Sequence, residues 1–305
     1  MAEYSIGVDL GGTNLRAAAI SSSGEVIAKI AGAAPLSQGR AVVLEDMVDS
    51  IKQLRAKCGT HNLAGVGIGV PGFIILEKGI IVGSNNLPDF EGVPIRDEIE
   101  KLLGARVVLE NDANAAAVGE KWMGAGKSVD DLVLLTLGTG IGGGIISGGK
   151  LIRGFVGMAG ELGHITVVPN GNPCGCGNRG CLEKHASATA ISAMARLLQL
   201  GPNLSAAEVY DLAVAGNEKA TFLFAAVGEA LGIALAMLVN TFNFPLVLLS
   251  GGPLPAWDFF APTMFAEVKR RSFTFRNTQT RIERATLGNE AGLFGAAYLG
   301  LENNH

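Results

Sequence analysis

A pattern of apolar strand, glycine-rich turn and second strand occurs once in each half of the chain. Glycine lacks a Cβ atom, so a turn that contains it can reverse the chain tightly and approach a bound group closely. Two such hairpins in matching positions indicate that the same folding unit is present twice. The segments are 4–10, 11–13 and 15–20 in the first half and 132–137, 138–140 and 142–147 in the second.

Alternating helices and strands follow each hairpin. The continuous apolar run at 63–70 is typical of a strand buried on both faces, and 246–250 has the same character. The pattern predicts a duplicated α/β fold with two domains that flank a cleft, and a ligand bound between the copies. Other predicted helices are 41–57, 95–103, 186–198, 206–215 and 220–240, and other predicted strands are 25–30, 106–109 and a short piece near Lys150.

The composition indicates a large buried core. Hydrophobic residues make up 48% of the 305 residues and charged residues 17%, the latter below the roughly 25% of typical globular chains. A core of this size needs two domains, and the low charged fraction favours a subunit interface. We therefore expect a homodimer or a higher homo-oligomer.

The charge of the chain excludes some classes of function. A net charge of −4 and a pI near 5.7, without any basic run, argue against binding nucleic acid through its phosphates. Acidic Glu3 and Asp9 lie where a signal peptide needs positive charge. The apolar segment 132–149 contains seven glycines and fits two buried strands better than a membrane span. We expect a cytoplasmic protein that contacts neither nucleic acid nor membrane.

The first glycine motif can bind a phosphate and a metal ion. Its glycines allow a phosphate to approach backbone N–H groups, and its hydroxyl can donate a further hydrogen bond. Its carboxylate can hold Mg²⁺ through bound water. A plain hairpin turn explains the motif equally well. Its residues are Asp9, Leu10, Gly11, Gly12, Thr13 and Asn14.

The second glycine motif, at 137–144, contains Gly138, Thr139 and Gly140. Two phosphate-type turns in matching positions are harder to explain by packing than one. Neither motif has the Gly-Lys-Ser/Thr sequence of a Walker loop, and neither opens directly into a helix as a dinucleotide-binding motif does. The pair therefore favours a nucleotide phosphate site, with glycines required only for packing as the alternative.

Asn111 and Asp112 follow the predicted strand 106–109 and open an alanine-rich helix. A carboxylate at the carboxyl end of a strand can accept a proton from a sugar hydroxyl as the oxygen attacks phosphorus. Asp112 can equally be the N-cap of the helix, where Asp is favoured. The spacing does not decide between the general base and the cap.

Three of the four cysteines lie within eight residues, at Cys174, Cys176 and Cys181, and His164 precedes them. Three thiolates and one imidazole bind zinc tetrahedrally, and the glycines between them let a short loop wrap around one ion. Reduced thiols without a metal are the alternative. Cys58 lies alone on a predicted helix and is interpreted as an inert buried thiol.

Together the motifs resemble the ROK family (repressors, open reading frames and kinases), and within it the bacterial glucokinases. The resemblance covers essentially the whole chain. It implies the duplicated ribonuclease-H-like fold of the actin and hexokinase ATPases, with ATP and Mg²⁺ as donor and a hexose as acceptor, namely glucose at its 6-hydroxyl. The motifs that carry it are 9–14, 110–115, 138–144, 161–164, 174–181 and 250–252, with 86–88 and 164–171 most similar to glucokinases.

The resemblance also implies a role for each candidate residue. Asp112 becomes the general base, and His164 acts twice, with one ring nitrogen on a structural zinc and the other facing the sugar. Asp9 holds Mg²⁺ through water, and the zinc ligands are His164, Cys174, Cys176 and Cys181. The sugar-binding residues are Asn86 (or the adjacent Asn85), Asn111, Asp112, Glu161, His164 and Glu183. The nucleotide-binding residues are Asp9, Gly11, Gly12, Thr13, Asn14, Gly138, Thr139, Gly140, Gly251 and Gly252.

The implied domains are a small α/β domain, 1–112 plus 291–305, and a large one, 113–290, with the zinc loop. Sugar-sensing repressors of the same family carry a helix-turn-helix domain before the first glycine motif. Here that motif begins at Asp9, which favours an enzyme over a regulator. Kinases for mannose, fructose, N-acetylglucosamine or N-acetylmannosamine share the base and the zinc loop, so they stay open as alternatives, as does polyphosphate as the donor.

Overall fold

The computed structural model describes residues 3–12, 14–84 and 87–302. Within these ranges the chain forms two compact units. The first comprises the residues up to Asp130, the segment 144–160, and the residues from Thr286 onward. The second comprises Asp131–Gly143 and Glu161–Ala285.

Helices and strands alternate along most of the chain. In chain order, the strands are β1 Glu3–Leu10, β2 Asn14–Ser21, β3 Val26–Ala33, β4 Asn62–Val70, β5 Phe73–Ile75, β6 Ile80–Gly83, β7 Val107–Asn111, β8 Leu132–Leu137, β9 Ile141–Ser147, β10 Lys150–Leu151, β11 Leu246–Gly251 and β12 Arg281–Arg284. The α-helices are α1 Arg40–Lys57, α2 Ile95–Leu103, α3 Asp112–Trp122, α4 Glu183–Ala186, α5 Ala188–Leu197, α6 Ala206–Val214, α7 Glu218–Phe242, α8 Trp257–Arg271, α9 Phe273–Asn277 and α10 Ala291–Leu301.

Two five-stranded sheets have the same strand order. In the order β3-β2-β1-β4-β7, β1 pairs antiparallel with β2 and parallel with β4, and β4 pairs parallel with β7. In the order β10-β9-β8-β11-β12, β9 pairs antiparallel with β10, and β11 pairs parallel with both β8 and β12. This repetition confirms the predicted duplicated α/β fold.

The central strands of the first sheet, β1 and β4, are buried on both faces, as their apolar sequences predict, whereas the edge strand β3 is largely exposed. Ile6 and Ile68 belong to one buried cluster with Met47 of α1 and Ile99 of α2. On the opposite face α10 lies directly on the strands, because a Cβ atom added at Gly67 would overlap the Ala296 carbonyl oxygen. The last helix of the described chain therefore completes the core of the first unit.

Helix α3 also belongs to the first unit, because it packs against α10 through glycines. A Cβ atom at Gly119 would overlap the Ala291 carbonyl, and one at Gly295 would overlap the Ala115 carbonyl. The compact first unit thus extends to Asp130, beyond the predicted small domain that ends at Asp112. The predicted limits of the two domains stay a prediction.

Helix α7 is the one helix among the described residues that is long and apolar enough to span a membrane. However, 72% of its most apolar window is buried within the protein. It packs closely against α8, where a Cβ atom at Gly228 would overlap the Phe260 carbonyl. This packing is typical of a core helix.

Candidate functional site

Asp9 ends the first strand of the first unit, beside the first glycine turn. The Gly11 N–H donates to the Asn14 carbonyl at 2.9 Å and closes the turn. Burial raises the pKa of Asp9, and the guanidinium of Arg16, 3.8 Å from Oδ2, opposes that shift. A bound cation would favour the charged form of the carboxylate in the same way.

The backbone around Asp9 is held from the other end of the chain. Arg16 Nη1 donates to the Asn289 carbonyl at 2.6 Å, and Lys29 forms a 2.6 Å ion pair with Glu290. The start of α10 also lies here, because a Cβ atom at Gly292 would be 3.4 Å from Asp9 Oδ1. Thr13, the predicted hydroxyl donor of the turn, lies outside the described residues.

Asn111 and Asp112 form the junction between β7 and α3. The Asn111 side chain is the N-cap of α3, because its Oδ1 accepts from the N–H groups of Ala113 at 3.0 Å and Asn114 at 3.1 Å. Its Nδ2 donates to the Gly72 carbonyl at 3.2 Å. Asp112 is therefore the first helical residue, and the alternative that made it the cap is wrong.

Asp112 lies in the same unit as the Asp9 turn. Strands β1, β4 and β7 run parallel side by side, so their carboxyl ends lie at one edge of the sheet. Asp9 is near the end of β1, and Asn111 is the last residue of β7. The structure thus places the predicted Mg²⁺ and phosphate turn and the predicted base at the same edge, which is where open α/β sheets bind ligands.

Helix α5 holds the second glycine turn through hydrogen bonds. Ala188 N–H donates to the Gly138 carbonyl at 2.9 Å, and Thr189 Oγ1 donates to the Thr139 carbonyl at 2.7 Å. Gly138 N–H closes the turn on the Gly140 carbonyl at 2.8 Å. The carbonyl groups of the turn are thus bound to α5.

Glu183 lies against this second turn. Its Oε2 accepts from the Ile141 N–H at 3.2 Å, and a Cβ atom at Gly140 would overlap the same oxygen. A side chain at position 140 would therefore displace the Glu183 carboxylate from its present position. The predicted sugar ligand and the predicted phosphate loop are in direct contact in the second unit.

Gly251 joins the second turn to the end of β11. It has φ of 110°, and a Cβ atom there would overlap the Leu137 carbonyl, directly before the turn. Gly252 has open space around its Cα atom. Two segments predicted to bind the nucleotide therefore meet at the ends of β8 and β11.

Glu161 and His164 come together on a short 3-10 helix, Leu162–His164. Nε2 of His164 is 3.7 Å from Oε2 of Glu161. Partial burial raises the pKa of Glu161, nearby Glu183 raises it further, and His164 opposes both effects. Three predicted sugar ligands thus lie within electrostatic range of one another in the second unit.

The other ring nitrogen of His164 faces the cysteine cluster. Nδ1 is 3.5 Å from the Sγ of Cys174, and the Sγ atoms of Cys176 and Cys181 are 3.7 Å apart. The four ligand atoms all lie within 4.8 Å of one another. Two ligands at about 2.3 Å from one ion in tetrahedral geometry lie about 3.8 Å apart, so the set fits zinc. The sulfur distances exclude a disulfide, and all four cysteines are free.

The loop that carries the thiols is a small hairpin. Cys174 N–H donates to the Asn178 carbonyl at 2.9 Å, and Gly177 N–H donates back to the Cys174 carbonyl at 3.1 Å. Gly177 and Gly180 have φ of 90° and 73°, a region that favours glycine. Gly177 and Gly180 thus allow the tight turns of the loop, and the role of the loop around an ion stays a prediction.

Some site residues are outside the description or were not predicted. Asn85 and Asn86 lie outside the described residues, so the sugar contact predicted for them stays a prediction. Glu110 and Arg153, which lie beside the β7–α3 junction, were not predicted. No sequence signal joins Arg153 to a residue 43 positions earlier, because only the fold brings them together.

Known proteins resemble this chain in both sequence and structure. The sequence profile described as the ROK family matches residues 5–303. A glucokinase of Thermotoga maritima is 38% identical over 306 residues, which cover 96% of this chain and 95% of the relative.

Solved structures show the same fold. A ROK hexokinase from Thermus thermophilus superposes with a TM-score of 0.87 at 35% identity, covering 97% of this chain and 98% of the other. A ROK family glucokinase from Streptomyces griseus, in complex with glucose and AMPPNP, has a TM-score of 0.80 at 32% identity, covering 97% and 98%. The chain belongs to the ROK family.

Proposed function

We propose that the protein is an ATP-dependent glucokinase, which transfers the γ-phosphoryl group of ATP to the 6-hydroxyl of glucose. The strongest support is the position of Asp112, a carboxylate at the carboxyl edge of the first sheet that is not used as the helix cap. The similarity to a glucokinase over nearly the whole chain favours glucose as the acceptor.

In the proposed reaction Asp112 accepts the proton of the sugar 6-hydroxyl as its oxygen attacks the γ-phosphorus. The bond from that phosphorus to the β–γ bridging oxygen breaks, and the products are glucose 6-phosphate and ADP. Mg²⁺ bound with ATP would neutralise charge on the phosphate oxygens. Asp9 would hold the water shell of this ion, and a glycine turn can offer backbone N–H groups to a phosphate.

Each compact unit contains hydrogen-bonding groups that we propose as sugar ligands. In the first unit, the Asn111 amide is oriented by its cap bonds and by the Gly72 carbonyl. In the second unit, Glu161, His164 and Glu183 supply carboxylate and imidazole groups for the hydroxyls. Asn86 completes the proposed set.

We propose one zinc ion per chain, bound by His164, Cys174, Cys176 and Cys181. Four protein ligands close the coordination sphere, so the ion supplies structure rather than Lewis-acid chemistry. Its proposed effect is to fix the His164 ring with Nε2 directed to Glu161.

We also propose that the enzyme acts in the cytoplasm as a homo-oligomer. Four free thiols are typical of a reducing compartment. A homo-oligomer would bury exposed apolar side chains such as Leu197 and Phe222, which are 79% and 65% exposed. Sedimentation velocity at several protein concentrations measures the oligomeric state, and a monomer throughout contradicts this part of the proposal.

A coupled assay of ADP release with a panel of sugars tests the function. We expect glucose to give the highest kcat/KM, above mannose, fructose, N-acetylglucosamine and N-acetylmannosamine. A higher value for one of the others would assign the enzyme to that sugar. Product formation from polyphosphate without ATP would identify polyphosphate as a phosphoryl donor. Absence of ADP release with every sugar would refute the proposed kinase activity.

A further inference from the structure

Glu110 is a buried carboxylate directly before Asn111 and Asp112, and the proposed reaction does not use it. Only 2% of the residue is exposed. Its Oε1 accepts from the Asn111 N–H and from Asn114 Nδ2, each at 3.0 Å. One carboxylate oxygen thus binds groups on both sides of Asp112.

Asn114 depends on this contact for its orientation. It is 2% exposed, and its Oδ1 is buried without a hydrogen-bond partner among the described residues. The bond from Nδ2 to Glu110 is therefore the side-chain contact that holds the amide. Asn114 lies in the first turn of α3, which carries Asp112.

Arg153 neutralises Glu110 from a distant part of the sequence. Its Nε donates to Oε2 of Glu110 at 2.8 Å, while the arginine side chain keeps 35% of its surface exposed. The Arg153 carbonyl accepts from the Ala159 N–H at 3.1 Å and closes the segment 153–160 on itself. A Cβ atom added at Gly157 of that segment would lie 2.7 Å from the Ile74 carbonyl oxygen.

We propose that Glu110 and Arg153 are positioning residues for phosphoryl transfer, acting through the hydrogen bonds of Glu110 that bracket Asp112. This inference rests on the proposed function. An uncompensated buried carboxylate is costly, so loss of Arg153 drives the charged Glu110 side chain toward water. This movement releases the Asn111 and Asn114 contacts and displaces Asp112 from the line of proton transfer.

Glu110 binds the Asn111 N–H and the Asn114 side chain on either side of Asp112, so the effect of the pair passes through Asp112 and falls on the chemical step. Displacement of a catalytic group by about 1 Å costs on the order of 10² in rate. In the proposed function ATP is bound by the glycine turns, and no described hydrogen bond joins the Glu110 and Arg153 side chains to them. The inference therefore predicts a fall in kcat with little change in the KM for ATP.

Steady-state kinetics on the full chain, with glucose and ATP, test the inference. We expect Arg153→Met to lower kcat by about 10²-fold and to change the KM for ATP by less than about threefold. Arg153→Lys should retain most of kcat, because the contact uses one N–H and the positive charge. The double variant Glu110→Gln/Arg153→Met, which removes both charges, should recover about tenfold of the lost kcat.

Glu100→Gln is the matched control. Glu100 Oε1 accepts from the Val107 N–H at 2.8 Å, a carboxylate contact at the opposite end of the same strand, β7. We expect this variant to lose stability without losing kcat. Thermal unfolding of each variant separates folding from catalysis, and the Arg153→Lys and double variants keep the comparison possible if Arg153→Met does not fold.

A kcat for Arg153→Met within about threefold of wild type, in folded protein, would overturn the inference and leave the pair as a structural contact. Equal losses of kcat in Arg153→Met and Glu100→Gln would overturn it as well. Failure of the proposed function has a different signature, because the wild-type protein itself would then release no ADP with glucose.

Discussion

Two adjacent residues have different main roles at the start of α3. Asn111 caps the first helical turn, whereas Asp112 follows as the first helical residue and accepts from the Ala113 N–H at 2.8 Å. The charge of Asp112 near the positive end of the helix adds only about 0.3–1 kcal/mol. Asp112→Asn should therefore affect mainly the chemical step, whereas a change at Asn111 should affect both stability and the proposed sugar contact.

We predict that Asp112→Asn lowers kcat by about 10²–10⁴-fold while glucose still binds, because the amide keeps the size but not the proton affinity of the carboxylate. Stability should stay near wild type. Asn111→Ala, in contrast, should cost about 1 kcal/mol of stability through loss of the cap. Calorimetric titration with glucose, the ADP assay and thermal unfolding measure the three effects. Near-normal kcat in folded Asp112→Asn would exclude Asp112 as the base.

Gly140 offers a second test, in the other unit. We predict that Gly140→Ala raises the KM for glucose, because the new Cβ atom occupies the position of Glu183 Oε2 and displaces that carboxylate. Gly138→Ala is the comparison, since its Cβ atom would have its nearest neighbour at 3.8 Å. Its effect on the KM for glucose should be smaller. Equal glucose KM values for the two variants would contradict a role for Glu183 in sugar binding.

Sequence patterns predict candidate site residues but not the contacts that those residues make. Asn and Asp are both favoured at the N-cap, so the sequence does not show which of two adjacent residues caps the helix. The structure shows that the Asn111 side chain accepts the N–H bonds of the first turn. Glu110 was overlooked because its partner Arg153 is brought to it only by the fold. Contacts between distant segments leave no local signal in one sequence.

At the scale of elements, the thiol hairpin is a loop whose proposed purpose is to hold one ion. Burial and the neighbouring thiols raise the pKa of Cys181 to about 12, whereas zinc binding requires the thiolate. Binding of the ion must therefore displace protons, and zinc should be released as the pH falls. The proposed zinc ion would also hold the His164 ring through Nδ1.

We predict that Cys176→Ser loses about one zinc per chain, because a serine hydroxyl is a poor ligand for this ion. The KM for glucose should rise strongly, since His164 loses its anchor, and the KM for ATP should change less. Cys58→Ser, which alters the buried thiol after α1, is the control and should keep its zinc. Metal analysis together with kinetics checks the pair. An unchanged glucose KM in zinc-free Cys176→Ser would show that the ion does not support the sugar site.

Elements with clear periodicity were predicted well, and an element that breaks local rules was not. The predicted strand 132–137 is β8, and the predicted helix 41–57 is α1, which begins at Arg40. Helix α8 was missed because Pro262 lies inside it and further prolines precede it, which locally argue against a helix. Packing against α7 overrides that preference.

At the scale of the whole molecule, duplication was predictable and the extent of each compact unit was not. The paired hairpins were visible because their glycines and apolar strands are local patterns. The attachment of α3 to α10 depends instead on glycines that allow two backbones to touch. Space for such an approach can be seen only in three dimensions.

We predict that Gly295→Ala destabilises the protein by about 1–3 kcal/mol, because the added methyl group would force α10 away from the Ala115 carbonyl. Gly32→Ala is the control, since nothing lies within 4 Å of its added Cβ atom. That substitution should be neutral or slightly stabilising. Chemical denaturation measures both variants. Equal unfolding free energies would mean that α10 does not pack tightly on α3.

The return of α10 to the first unit sets the order in which the chain can mature on the ribosome. Nascent domains generally fold as units as they emerge. In the sequence, all residues of the second unit precede α10, so they are synthesised before Gly295. The first sheet therefore keeps one face uncovered until α10 has been synthesised and can pack on it.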